Sequence, residues 1–452
     1  MRPRHILSVA VSCVATLAAA AACGSGGNAA SSKTITVAYE EYGTFHAAGD
    51  LFKKIAPTFE KQHPGWKVQL VPIDAPENDY YTKLDLMNRS SSTAPDVLYE
   101  DTFLINSDVQ AGYLAPLNSY VNSWPDWSQF FPASRKAVQA ANGDYYGVPM
   151  STDTRGLWYN KQIFAKAGLP VPWHPKTWAD VLAAARAIKQ KDPGVIPLNV
   201  YSGTPAGEAT TMQGFEMLLY GTGETLFDKS TRKWIPPGTG FTNSLSFIKT
   251  IYDQGLAPKP EQELNPNIAT TINAQWLPQG KLAIDLDGSW LPGTAWTAGN
   301  PNPWPKWSSV MGWTTMPTQN GQGSDITTMS GGWALSVGSS SPHKSMAFDL
   351  IELALNKQNS IYYAQRSGDL AVRQDVANDP AYDKAMPGLA FWTNLVKYTN
   401  YRPANTVYPR LSNEIQQATE SVMTGQASAQ QAASTYGQSL KQIAGPSNVE
   451  GG

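Results

Sequence analysis

Apolar and polar residues alternate from Thr34 to Tyr39, Thr-Ile-Thr-Val-Ala-Tyr, with the two-residue period of a strand. Leu51, Ile55 and Phe59 follow at helical spacing, which predicts a helix over Ala48 to Gln62 that His63-Pro64-Gly65 stops. A strand from Lys67 to Ile73, a polar helix around Tyr80 to Asn88 and a strand from Asp96 to Tyr99 complete a β-α-β-α-β series. The pattern restarts after Tyr145-Tyr146-Gly147-Val148-Pro149. Leu157 to Tyr159 reads as extended, Lys161 to Ala167 and Trp178 to Gln190 as helices, and Val195 to Val200 as a short strand. Thr177 stands where it would cap the second of these helices, with Asp180 three positions on to complete a capping box. Pro, Gly and Trp crowd a mixed region from Asp287 to Trp313, and beyond Pro342 the reading is almost wholly helical. Such alternation predicts a mostly parallel sheet covered by helices, with ligands at the carboxyl ends of the strands. Those ends carry Glu40-Glu41-Tyr42-Gly43 and Glu100-Asp101. Two such series predict two α/β domains, with the chain crossing between them more than once.

The stretch ahead of the first strand reads as an address. Arg2 and Arg4 precede an apolar, small-residue run from Ile6 to Ala22, too short and alanine-rich for a membrane span, so residues 1–22 are expected to be a signal peptide. The run enters Cys23-Gly24-Ser25 and resembles the lipobox of a bacterial lipoprotein, which implies a lipid on the thiol of Cys23. The alternative is ordinary cleavage that leaves a free secreted protein. Residues 23–32 are small and polar, suited to a tether. Cys13 and Cys23 are the only cysteines, so a mature domain without Cys13 has no internal disulfide and rests on its core.

At 452 residues, 42% hydrophobic and 15% charged, the chain has apolar surface for one large or two ordinary domains, which excludes disorder. A net charge of −2 and no basic block after the leader exclude nucleic acid as a partner. The excess is aromatic, with Trp 15, Tyr 20 and Phe 13. Aromatic faces pack on the C–H faces of sugar rings while carboxylates and amides take the hydroxyls, so the composition suits carbohydrate. For any single tryptophan a place in the core remains the commoner role.

Several blocks, in order and spacing, carry a resemblance. They are Tyr146-Gly-Val-Pro-Met-Ser-Thr-Asp-Thr-Arg-Gly-Leu-Trp-Tyr159-Asn160-Lys161, Ala167-Gly-Leu-Pro170, and Lys176-Thr177-Trp178-Ala-Asp180. Further along stand Gly280-Lys-Leu-Ala-Ile-Asp-Leu-Asp-Gly-Ser-Trp290, Gly331-Gly332-Trp333, Gly368-Asp369-Leu370-Ala-Val-Arg373 and Thr424-Gly425-Gln-Ala-Ser. Together they resemble the extracellular solute-binding proteins of bacterial ABC importers, in the sugar-binding branch typified by maltose-binding protein. The resemblance implies an α/β, two-lobed, class II periplasmic-binding-protein fold. Each lobe would be a mixed sheet flanked by helices, and the ligand cleft would lie between lobes that close on sugar. It places the lobes at 31–150 with 317–366 and 151–316 with 367–452, with crossings near Pro149 to Thr152, Met311 to Met316 and Arg366 to Ala371. The expected partners are a carbohydrate, the membrane subunits of an ABC importer, and the membrane through Cys23. A monomer without cofactor or catalysis is expected.

By the same resemblance Trp290, in Asp287-Gly288-Ser289-Trp290, aligns with the family's sugar-stacking tryptophan, at a sheet end facing the cleft. Asp153 aligns with an acidic cleft residue of the family, and a carboxylate accepts from two sugar hydroxyls at once. One member of each pair, Glu40 or Glu41 and Glu100 or Asp101, is expected to touch ligand, and Gly43 would let backbone approach it. Gly332 and Trp333 are cleft candidates, with Trp333 either stacking on sugar or packing in the core. Tyr408 and Arg410 are further candidates, and Arg366 is either a contact or a salt-bridge residue.

An enzyme is the sharpest rival. Ile284-Asp285-Leu286-Asp287 resembles the Asp-x-Asp-x-Glu strand of family 18 chitinases, but Ser289 stands where the acid belongs. Glycoside hydrolysis normally needs two opposed carboxyl groups. A lipid-anchored surface protein that holds polysaccharide without transport is the other rival. His5, His46, His63, His174 and His343 show no ligand spacing, so no metal is expected.

Overall fold

The computed structural model describes residues 33–384 and 386–451; Cys23 and the leader lie outside them. β1 (Thr34–Glu40) pairs in parallel with β2 (Lys67–Ile73) on one side and β3 (Val97–Asp101) on the other. The crossovers are α1 (Ala47–Gln62) and α2 (Glu77–Asn88). The later strands are β4 (Val148–Pro149), β5 (Arg155–Asn160), β6 (Ile196–Asn199), β7 (Phe227–Asp228), β8 (Lys233–Trp234) and β9 (Leu282–Gly288). They continue with β10 (Met311–Thr314), β11 (Met316–Pro317), β12 (Ile326–Ser330), β13 (Trp333–Val337) and β14 (Thr399–Tyr401). Apart from the β7–β8 pair, the sheets run β2-β1-β3-β13-β4, β10-β5-β9-β6 and β11-β12-β14.

Local pattern gave the elements well and their pairing less well. The expected strand and helix starts in the first series match β1, α1, β2 and β3, and Thr177 with Asp180 forms the capping box on the helix Trp178–Lys191. The sheets are mixed rather than mostly parallel. β13 lies antiparallel to both β3 and β4, and β5 lies antiparallel to both β9 and β10. The reason is that β13 and β10 pair with strands far away in sequence, which alternation within one segment cannot reveal. β14 interrupts the helical C-terminal region, a three-residue strand held by parallel pairing to β12.

The core divides as the sheets do. Leu51, Phe52, Ile55 and Phe59 of α1 pack with Val97, Leu98 and Leu335 on the first sheet, each such burial contributing roughly 1.5–3 kcal/mol. The helices Thr239–Asp253, Tyr408–Met423 and Ala429–Ala444 cover the second sheet through Phe241, Ile248, Leu411, Ile415 and Tyr436. A third cluster sets Trp158 against Trp296, Trp307, Trp313 and Trp392, so much of the aromatic excess is core. Among the described residues no helix is long and apolar enough to cross a membrane.

Three segments run side by side between the two sheets. Thr152 and Leu370 exchange backbone hydrogen bonds of 3.1 and 2.7 Å, and Met150 N–H donates to the Trp333 carbonyl at 2.7 Å. Thr152 Oγ1 donates to the Gly331 carbonyl at 3.0 Å. The chain passes from β12 of the third sheet to β13 of the first at Gly331-Gly332. Met311 to Met316, where the resemblance implies a passage, is where the chain leaves the second sheet, with β10 paired to β5 and β11 to β12 of the third sheet. Thr328 fixes β12 there, its hydroxyl accepting from Arg155 N–H and donating to the Arg155 carbonyl, both at 2.9 Å.

Candidate functional site

The ends of β1 and β3 and the start of β13 share one edge of the first sheet, because β13 runs antiparallel with Trp333 opposite Asp101. Glu40, Asp101 and Trp333 therefore meet at one wall. The start of β5 and the end of β9 share an edge of the second sheet, with Arg155 opposite Gly288. Asp153, Asp287 and Trp290 meet there. The two edges line one cavity of about 1260 Å³, counting the part open to solvent. Gly332 lines it at the passage between the sheets.

Each wall offers an aromatic face. The Trp333 ring stacks on Tyr99 at 4.2 Å and 7°, which fixes its plane. Trp290 folds back over its own strand, where a Cβ on Gly288 would lie 1.9 Å from the Trp290 ring. Only glycine leaves room for that turn. The Arg155 guanidinium lies 4.8 Å from the Trp290 ring centre. Trp290 and Trp333 are the tryptophans lining this cavity among the described residues.

Each wall also has one guanidinium among carboxyls. Arg155 donates to Asp153, to Gln213 Oε1 at 2.9 Å and to the Met329 carbonyl at 3.1 Å. Gln213 and Met212 reach the cavity from a π-helical stretch, Thr210–Glu216, a distortion frequent at functional sites. Arg402 donates to Asp101 Oδ1 at 2.6 Å and to Glu208 Oε2 at 3.1 Å, and lies 4.0 Å over the Phe103 ring. Burial acts against the charge of Arg402, but Asp101 and Glu208 more than offset it.

The remaining carboxyls are perturbed by burial first. Asp369 is pushed up to about 7 by burial and then by Asp153, while the Tyr363 hydroxyl donates to it at 3.2 Å. Asp287 is pushed up to about 6 by burial, against a 2.7 Å bond from Gly288 N–H and a 3.0 Å bond from the Tyr201 hydroxyl. Glu77 is raised to about 7 by burial, Asp101 and Glu208, and Glu40 well above its ordinary range by burial, Glu77 and Asp101.

Other candidates lie elsewhere. Period-two alternation points Glu100 away from Asp101 into the first lobe, where it packs by Asp108. Glu41 turns from the cavity to Lys53 at 2.7 Å. Gly43 sits at φ +59°, where a Cβ would meet Thr270 Oγ1 at 2.2 Å, so the loop after β1 touches the second lobe. Tyr408 is wholly buried and donates to Glu216 at 3.0 Å. Arg410 is exposed and does not line the cavity. Arg366 pairs with Asp50 and donates to the Ala298 carbonyl at 2.9 Å. Sequence reasoning did not single out Arg155, Arg402, Glu77, Glu208 or Asp369. Arg155 and Asp369 lie within the blocks that carry the family resemblance, whereas Arg402 lies in a loop without periodicity.

Two α/β lobes with a polar and aromatic cleft between them define a two-lobed binding protein of the periplasmic class. Residues 42–361 match the family described as bacterial extracellular solute-binding protein, and the chain belongs to it. It is 28% identical over 250 residues to an uncharacterized ABC transporter extracellular-binding protein of Pyrococcus horikoshii, covering 54% of each chain. It is 25% identical over 264 residues to the melibiose/raffinose/stachyose-binding protein of Bacillus subtilis, covering 57% of each. The chain thus spans about half the length of the curated relatives it matches. The GacH receptor of Streptomyces glaucescens, solved unliganded and with acarbose, shares the fold at TM-score 0.77 and 22% identity, over 91% of this chain and 98% of that one.

Proposed function

We propose that the protein captures a sugar, a di- or oligosaccharide, between Trp290 and Trp333 and delivers it to an ABC permease without altering it. The observation that carries this is the pair of ring faces on opposite walls of one cavity, each bordered by carboxyls and a guanidinium. Rings take the apolar faces of a pyranose, and Asp153, Asp287 and Asp101 accept from its hydroxyls. The sugars named for the Bacillus subtilis relative and the acarbose held by the Streptomyces receptor support this class of ligand. One cavity lined from two lobes suits closure by population shift, the ligand binding the closed form better. The hinge is the set of segments at 150–153, 331–333 and 368–371. The lipid on Cys23 holds the domain on the outer face of the membrane.

A thermal-shift screen of neutral mono-, di- and trisaccharides tests the sugar reading, because a ligand of the native state alone raises its melting temperature. At least one sugar is expected to do so and to be recovered intact after long incubation. Failure of every sugar counts against the reading, and cleaved products favour a hydrolase. The anchor has its own test. Cys23→Ser is expected to release the protein from the membrane fraction of a lipoprotein-processing host, and unchanged retention contradicts it.

A further inference from the structure

The arginines of the cleft are neutralised where they stand, Arg402 by Asp101 and Glu208 and Arg155 by Asp153. Among the described residues no other cationic side chain lines the cavity. Glu40 is left over. It ends β1 at the cavity wall and is 6% exposed, yet its carboxyl has no hydrogen bond or ion pair among the described residues. Glu77 opens α2 at the same wall and also has no cation paired to it. Of the charged groups near Glu40, Glu77 and Asp101 press on it most, and all three are acidic. Arg402, the nearby cation that relieves Glu77, is committed to Asp101 and Glu208.

A buried carboxylate without a counter-charge is strongly disfavoured, so such a group holds a proton or meets a cation from outside. Sugar hydroxyls donate hydrogen bonds but bring no charge. A metal ion is a poor fit, since among the described residues no three acidic, His or Cys side chains gather as an ion requires. Glu40 and Glu77, neither of them paired with a cation, share their cavity with Tyr42, Phe45 and Trp333, whose ring faces attract an organic cation. We infer that the sugar taken by this cleft is a basic one, carrying a protonated nitrogen that docks between Glu40 and Glu77 on the first-lobe wall. The inference rests on the sugar-binding reading above. The nitrogen's source is either a 2-amino sugar or the ring of an imino sugar. When it docks, the proton held by the Glu40–Glu77 pair in the empty cleft is released to solvent.

The test is calorimetry on the intact chain with matched probes. Glucosamine, galactosamine, the β-1,4-linked glucosamine disaccharide and 1-deoxynojirimycin are each set against the neutral parent glucose, galactose or cellobiose, with spermidine as an amine that is not a sugar. At least one basic sugar is expected to bind about tenfold or more tightly than its parent. Its heat should vary with the ionisation enthalpy of the buffer, reporting proton release. The preference should fall several-fold in both Glu40→Gln and Glu77→Gln. Neutral parents binding as tightly as their amines, no amine sugar binding at all, or a preference that survives both substitutions overturns the inference. A neutral sugar that binds alone leaves the sugar-binding function standing, while spermidine binding without any sugar overturns both.

Discussion

Arg155 and Arg402 look alike on paper, each a buried guanidinium held by carboxylates and lying over an aromatic ring, but their partners come from different places. The side-chain partners of Arg155 are Asp153, Gln213, Met212 Sδ and the Met329 carbonyl, none of them on the first sheet. Arg402 joins Glu208 of the second lobe to Asp101 at the end of β3 in the first. Movement of one lobe against the other leaves the first set whole and breaks the second. On the closure proposed above, the Arg155 set would be a preformed part of the binding wall beside Trp290, and the Arg402 set would be a latch whose state follows closure.

Removing Arg155 is the harshest way to break this contrast. Arg155→Ala leaves the buried Asp153 carboxylate without its counter-charge in every conformation. The expected cost is about 3–5 kcal/mol of stability, read by urea unfolding, with loss of sugar binding. Arg402→Ala should cost less, about 1–3 kcal/mol, because opening lets water reach Asp101. It should also reduce the compaction that a saturating sugar produces, because the closed form has lost its contact to Asp101. Equal costs and an unchanged compaction for Arg402→Ala would remove the distinction between wall and latch.

Trp290→Ala sharpens the wall side of the comparison, weakening sugar binding by about 1–3 kcal/mol with the fold intact by circular dichroism. Unchanged calorimetric affinity returns Trp290 to a structural role. Titration probes the carboxyls of both sets. Burial raises Asp369 and Glu77 to about 7 and Asp287 to about 6, so the native state keeps protons that the unfolded chain has released. Their contribution to stability is full below roughly pH 4 and is lost as pH rises through about 6 to 7. The melting temperature of the unliganded protein should therefore fall from about pH 5 to pH 8, and less steeply in Asp369→Asn. A flat or rising profile contradicts it. The smallest effect is expected at Arg366, whose ion pair with Asp50 is partly exposed; Arg366→Ala should cost about 0–1 kcal/mol.

What the sequence showed of this cleft follows from how far apart the contacts lie. Trp290, Asp287 and Gly288 sit on one strand and its turn, and Asp153 and Arg155 on the start of another, so short blocks carried them. Glu40 and Asp101 were legible as strand ends, but choosing Asp101 over Glu100 needed the register of β3, which β13 sets from a distant part of the chain. Arg402 was hidden because its role depends on Asp101 and Glu208, both far away in sequence and brought together only by the lobes. The same holds for the fold. Capping at Thr177 is local and was legible, while the antiparallel insertion of β13 and the short β14 depend on partners that no window contains.

Small-angle scattering with and without a bound sugar tests the central claim most directly, that ligand is held between two lobes that move together. The unliganded protein is expected to be more expanded than the structure, in which Asp101 already meets Arg402, and to compact to its dimensions when a sugar saturates the cleft. Tight binding of a sugar with no change in the radius of gyration would contradict it, leaving a rigid cleft and a latch that never opens.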